Sequence, residues 1–413
     1  MPPVRNAVLL VNPAGLIEAT GPPDLVTVPR GATEVRLDGK WILPGLIDAH
    51  VHADRWAMSR YLAYGVTTIR DLGGTQDSII FLRDDVNGGQ IAGPRLYISG
   101  APIDGPGSPF PHAAVVRTAN DARRAVGNRV LIHATQVAVL ARLDRALLTA
   151  LLDEARALET PVAAHFGRVD ALTGARMGVA SIEYLSGIPE AVVNNPAPLQ
   201  TAWSRDPLAG WGRWEAAWGS LDSLALDRVA RALVQAGTAV VPTLVAHETL
   251  ARASDAAFRD SLDLAGVPDA MRSGWEAGAL RARYGLSGNL LAAARRGRTA
   301  QNLFVRRFVA VGGHLAAGSE SGAPLIAPGA GLHQELSLLV AAGLPPARAL
   351  LAVTRDGARL IGVDSIGVLR AGAVADFLVL DADPLADIGN ARRINRVVRG
   401  GTSWTPAELR SRW

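Results

Sequence analysis

The run Trp41-Ile42-Leu43-Pro44-Gly45-Leu46-Ile47-Asp48-Ala49-His50-Val51-His52 decides how the rest of the chain is read. Its apolar part is short and punctuated by proline and glycine, which predicts a strand buried on both faces. Side chains alternate along a strand, so His50 and His52 point the same way at its C-terminal end. Two imidazoles converging there make half of a catalytic metal site, which keeps one position open for water. The plain alternative is a pair of ordinary strand-end histidines, and a three-residue pattern alone does not separate the two.

At 413 residues the chain has room for a barrel of about 250 to 300 residues and a satellite domain. A protein of this size buries roughly 75% of its unfolded surface, so its core needs no covalent staples. There is no cysteine, which excludes disulfides, thiolate metal ligands and a cysteine nucleophile. The stretch Met1-Pro2-Pro3-Val4-Arg5-Asn6 has no apolar segment of signal-peptide length, and no run reaches transmembrane length. The expectation is a cytoplasmic protein without a membrane partner. The formal net charge is only +4, with acids and bases interspersed as in Arg142-Leu143-Asp144-Arg145. Such mixtures are solvated helix faces and predict no nucleic-acid partner. Nearly all the basic charge is arginine, because Lys40 is the only lysine.

Short apolar runs broken by Gly and Pro fill residues 7 to 43, and the same texture returns from about 362 to 400. Residues 1–43 and 362–413 are therefore expected to pair into one composite β-sandwich, flanking a barrel over 44–361. Within 44–361, short apolar strands alternate with helical patterns, the signature of repeated βα units. Predicted strands end at His52, near Arg70, near Ser99, at His133, at His165, at Tyr184, near Leu244 and at Glu320. Eight such units make a (β/α)8 barrel, an α/β fold whose chemistry sits at the C-terminal ends of its strands.

The run from Pro44 to His52, followed by Tyr64-Gly65-Val66-Thr67-Thr68-Ile69-Arg70-Asp71-Leu72-Gly73-Gly74, resembles the amidohydrolase superfamily. Gly93-Pro94-Arg95-Leu96, Val241-Pro242-Thr243-Leu244, Ala316-Ala317-Gly318-Ser319-Glu320-Ser321-Gly322 and His333-Gln334-Glu335-Leu336 continue the likeness. So does the run from Gly372 to Leu385. Nearly the whole chain is covered in the family's order, and the prolidase-like and imidazolonepropionase-like branch is the most similar. The resemblance implies the barrel with its sandwich, a metal-dependent hydrolase, and a dimer or larger homo-oligomer.

The resemblance also assigns site residues, with three departures. The family's fourth-strand lysine, often carboxylated to bridge two metals, has no counterpart, and His133 in Asn128-Arg129-Val130-Leu131-Ile132-His133-Ala134-Thr135 stands where it is expected. A neutral imidazole offers one lone pair and does not bridge cations as a carboxylate does. His133 is read as a catalytic candidate, a terminal ligand, a substrate contact or a donor behind the ligands, with a core histidine as the alternative. His165 in Pro161-Val162-Ala163-Ala164-His165-Phe166-Gly167 keeps the fifth-strand ligand position. On the sixth strand, Ser181-Ile182-Glu183-Tyr184 carries Tyr184 in place of histidine; a protonated phenol is a poor ligand but a good donor to an oxyanion. On the eighth strand Glu320 replaces the family's aspartate, keeping the charge on an arm about 1.5 Å longer.

These residues imply at most one metal per chain, zinc or another divalent ion, held by His50, His52 and His165 with Glu320 or water as the fourth ligand. Such an ion lowers the pKa of its water towards about 7. Glu320 is then the general base, and Tyr184 or His133 the polariser, for opening an amide, lactam or related C–N bond other than a linear peptide. A lyase or cyclase step, and a catalytically silent binding protein, remain alternatives. Between about 190 and 230 lie Trp203, Trp211, Trp214 and Trp218; the last three, at i, i+3 and i+7, fit one helix face. They are read either as core or as a wall over a small apolar or aromatic substrate, with Trp203 and Trp211 as binding residues. Arg168, just after His165-Phe166-Gly167, is a candidate partner for a substrate carboxylate, or a surface loop arginine.

Overall fold

The computed structural model describes residues 4–286 and 288–413. Two antiparallel sheets are built from the chain's ends. One pairs β1 (Val8–Val11) with β2 (Ile17–Gly21). The other has the order β15-β14-β13-β3, from β3 (Trp41–Pro44), β13 (Phe377–Leu380), β14 (Ile394–Arg399) and β15 (Thr402–Trp404). Ile17, Phe377, Val379 and Val398 close a small apolar core between them. The pairing of Ile42 with Val379 ties the first fifth of the chain to the last.

The central part is a parallel barrel. β4 (Leu46–Val51), β5 (Val66–Asp71) and β6 (Arg95–Ile98) form one run. β9 (Val137–Val139), β10 (Val162–Ala164), β11 (Ser181–Glu183) and β12 (Ala239–Val241) form the other. Two short strands, β7 (Ile103–Asp104) and β8 (Ala114–Val115), extend the second run beyond β9. The Thr135 N–H bonds to the Ile98 carbonyl and joins the two runs on one side. On the other side the eighth position is an irregular segment. Leu315 bridges to Val240, Ala49 N–H donates to Ala317, and Ser321 bridges to Val51, which closes the ring. β4 is buried at every residue, as a strand walled on both faces must be. Gly45 lets β3 run straight into it, since a Cβ there would lie 2.1 Å from the Thr67 hydroxyl.

The expected fourth strand is corrected. Residues 128–131 belong to the helix Ala119–Leu131, started by a Thr118–Asp121 capping box. The apolar run Val130-Leu131-Ile132 imitates a strand, but Leu131 is 78% exposed at the helix end. His133 turns the chain with a left-handed φ of 54°, and the strand begins four residues later. The residue level with His165 on this strand is Leu140, by the pairing of Ala164 with Val139. Among the described residues no helix is long and apolar enough to cross a membrane.

One buried acid outside the site sets a pH expectation. Glu335, on the helix Ala330–Ala341, accepts from the Val245 N–H at 2.8 Å, while its other oxygen has no partner. Burial pushes its carboxyl from 4.5 up to about 8. The folded chain therefore holds a proton that the unfolded chain releases from about pH 4.5, so stability is lost as pH rises towards 8. Glu335→Gln is expected to melt above the parent at pH 8 and to lose that advantage at pH 5, in thermal scans at the two values. A pH-independent difference would show that Glu335 is ionised in the fold.

Candidate metal centre

Three of the sequence-predicted ligands meet at the C-terminal end of the barrel. His50, His52 and Glu320 each offer an atom, and those atoms lie within 4.8 Å of one another. His50 Nε2 is 3.0 Å and His52 Nε2 3.3 Å from the Glu320 carboxylate. The far nitrogens are engaged by other partners. His50 Nδ1 lies 2.8 Å from Glu183 Oε2, and His52 Nδ1 2.9 Å from the Gly73 carbonyl. An acceptor at each Nδ1 favours a proton there, so a cation displacing the proton shared between Nε2 and Glu320 would meet an Nε2 lone pair, the usual arrangement around a metal-binding histidine. The donor set therefore fits a divalent cation.

The loop that carries Glu320 is held from below. Asp48 Oδ1 accepts from the Ser319 N–H at 2.8 Å, and Asp48 Oδ2 from the Ser319 hydroxyl at 2.5 Å. Burial lifts the Asp48 carboxyl to about 7 against those hydrogen bonds. Glu320 itself sits at φ 61°, with its N–H on the His50 carbonyl. Tyr184 (φ 57°) and Thr243 (φ 49°) share the left-handed region at neighbouring strand ends. Non-glycine residues cluster in such conformations at functional sites. Gly318 permits the close approach, because a Cβ there would lie 2.4 Å from that of His50.

Electrostatics pull the cluster together. Burial alone would raise the Glu320 carboxyl, but His52 and His50 hold it well below the usual carboxylate range. Burial would lower the His52 imidazole, yet the Glu320 charge and hydrogen bond lift it to about 9. The Tyr184 hydroxyl is 2.8 Å from His50 Nε2 and donates to Glu320 Oε2 at 2.5 Å. Burial, with the Glu320 charge, pushes that phenol well above its ordinary value. Tyr184 is thus a hydrogen-bond donor lying between His50 and Glu320. His52 is the open side, with 38% of its side chain exposed against 3% for His50.

His165 does not join the cluster. Its ring packs against Tyr184, Trp203 and Trp211 at centroid distances of 4.8, 5.4 and 5.3 Å, and burial lowers its pKa to about 4. The aromatic segment turns this imidazole to the wall of the site. That wall is itself anchored, Trp203 Nε1 donating to Glu190 at 3.1 Å and Trp211 Nε1 to Glu215 at 2.8 Å. Trp214 and Trp218 face inward instead, onto His247 and Phe304. All four tryptophans are buried, and Trp211, at 8% exposed, is the least so. His133 is removed from the catalytic set: it is exposed and precedes its strand, so it lies at the opposite end of the barrel. Arg168 is exposed in the loop after β10, with its backbone N–H on Ala141.

Two buried residues escaped the sequence reading. Glu183, quoted only as Tyr184's neighbour, touches His50. Arg70 Nη2 donates to Glu183 Oε1 at 2.7 Å. Nothing local marks this pair, because β5 and β11 bring it together through the barrel interior.

A parallel barrel whose strand ends gather two histidines and a carboxylate has the donors to hold a divalent cation there. The chain belongs to the Amidohydrolase family, whose model matches residues 41–403. Among solved structures, a candidate prolidase from Bifidobacterium longum is 25% identical, with a TM-score of 0.69 over 98% of this chain and 92% of that one. A bottromycin amidohydrolase is 23% identical, TM-score 0.73, over 97% of this chain and 83% of the other. Ochratoxinase from A. niger is 18% identical, TM-score 0.68, over 98% and 92%; these two likenesses speak for the fold alone. No curated protein sequence is similar enough to count as a relative.

Proposed function

We propose that this chain hydrolyses an amide, lactam or related C–N bond in a small molecule, using one divalent cation held by His50, His52 and Glu320. The observation that carries the reading is the convergence of those three side chains within 4.8 Å. When bound, the cation supplies Lewis acidity, polarising a carbonyl and acidifying a water molecule. The remaining work falls to the chain's own groups. Glu320 accepts the proton of the attacking water. Tyr184, held protonated beside it, donates a hydrogen bond to the oxygen on which negative charge develops. Trp203 and Trp211 exclude water from one side and favour an apolar or aromatic substituent next to the scissile bond.

Metal content measured by plasma emission tests the reading. The zinc-reconstituted chain is expected to hold at most one ion, and His52→Ala to hold less than a tenth of that. Without a lysine beside the site, two adjacent cations would lack the bridging anion that offsets their repulsion. Two fully occupied ions within about 4 Å would overturn the single-ion proposal. A panel of N-acyl compounds and lactams, with and without an aromatic ring, tests the substrate side through KM.

A further inference from the structure

Arg70, Glu183 and His50 form a continuous buried relay. Arg70 and Glu183 are each 2% exposed and His50 3%. Glu183 Oε2 takes His50 Nδ1 at 2.8 Å, and Glu183 Oε1 takes Arg70 Nη2 at 2.7 Å and the Ser181 hydroxyl at 2.6 Å. Arg70 Nε donates to the Ala49 carbonyl at 2.5 Å. The one guanidinium therefore grips both the backbone beneath His50 and the carboxylate beside its ring.

Such a relay is not what a barrel core needs for stability. Buried ion pairs are often replaced by well-packed apolar side chains at no cost, whereas removing one partner alone is strongly destabilising. The arrangement also makes the two histidines unequal. His52 Nδ1 meets a backbone carbonyl, whereas His50 Nδ1 meets a carboxylate paired with a guanidinium, a stronger acceptor that orients the ring and makes Nε2 the better electron donor.

We propose that Glu183, clamped by Arg70, is a positioning residue that sets how tightly the centre holds its cation by fixing the His50 ring and its tautomer. This rests on the metal-site reading above and goes beyond it. Zinc affinity, measured by competition with a chromophoric chelator, provides a readout separate from turnover. Glu183→Gln is expected to weaken zinc binding by about 10–100-fold, because the amide keeps the size but loses the charge and turns an N–H₂ group towards Arg70 or His50. Ser181→Ala, which removes one hydrogen bond and keeps the relay, is expected to weaken it only a few-fold and remains informative should Glu183→Gln misfold. Glu183→Asp retains the charge and is expected to recover part of the loss.

His50→Ala separates the two ideas. If His50→Ala loses zinc while folded Glu183→Gln binds it with the parent's affinity, the relay proposal is overturned and the metal site stands. If His50→Ala also retains zinc, the site reading itself is wrong. A Glu183→Gln protein that melts lower but binds zinc as the parent does would make the relay purely structural, and that too overturns the proposal.

Discussion

Glu320→Gln is expected to lower turnover by about 10²–10⁴-fold, the range a positioned general base contributes. Glutamine matches the size of glutamate and its hydrogen-bonding reach, so the loop anchored by Asp48 and Ser319 should persist. What disappears is the anion that His50 and His52 hold ionised, and with it the acceptor for the water proton. Glu320→Asp probes the arm length separately. Aspartate tolerates the left-handed backbone at this position better than glutamate does, but it retracts the carboxylate by about 1.5 Å. Misplacements of about 1 Å can cost on the order of a hundredfold, so a large loss in the aspartate variant is the expected result. Single-turnover kinetics on a cleaved substrate, alongside metal content, check both. Full turnover by a folded Glu320→Gln protein would remove Glu320 as base and bring a non-hydrolytic reaction forward.

Tyr184→Phe carries the second-largest expected effect, a loss of about 10²–10³-fold in kcat, as when one oxyanion donor is removed. The phenyl ring keeps the contacts with His50, His165 and Trp211, so the packing of the wall should survive. Zinc content is expected to stay at the parent's value, because the Tyr184 hydroxyl is engaged as a donor to Glu320 and a protonated phenol is a poor ligand. A phenylalanine variant that loses its zinc would instead make Tyr184 a ligand through its phenolate. A variant with parental kcat would leave the hydroxyl without a catalytic role.

The strand ends at or near His52, Arg70, Ser99, His165 and Tyr184 were legible because each closes a short apolar run punctuated by polar or glycine residues, a purely local pattern. The next strand instead stops at Val241, and Leu244 already opens a helix. His50 and His52 could be placed for a related reason, since a strand end in a parallel barrel faces the site and sequence position implies direction. Glu320 came only from the family resemblance, because its segment forms no regular strand. The fourth strand was not legible. Val130-Leu131-Ile132 is apolar in either conformation, and the Thr118–Asp121 capping box upstream decides for helix, which carries His133 away from the centre.

His165 shows where local pattern stops. Its place at a strand end follows from the sequence, but the segment bearing Trp203 and Trp211 surrounds its ring, and that packing belongs to residues some forty positions downstream. The Arg70–Glu183–His50 relay lies further still beyond local reading, since its partners are separated by 113 and 133 residues. The sequence by itself determined the barrel, the composite sandwich strands and the side chains available for chemistry, because alternation and turn chemistry act over a few residues. Only the tertiary structure decided which of those side chains meet, because closing the barrel brings strand ends together and a buried charge must find its partner wherever in the chain that partner lies.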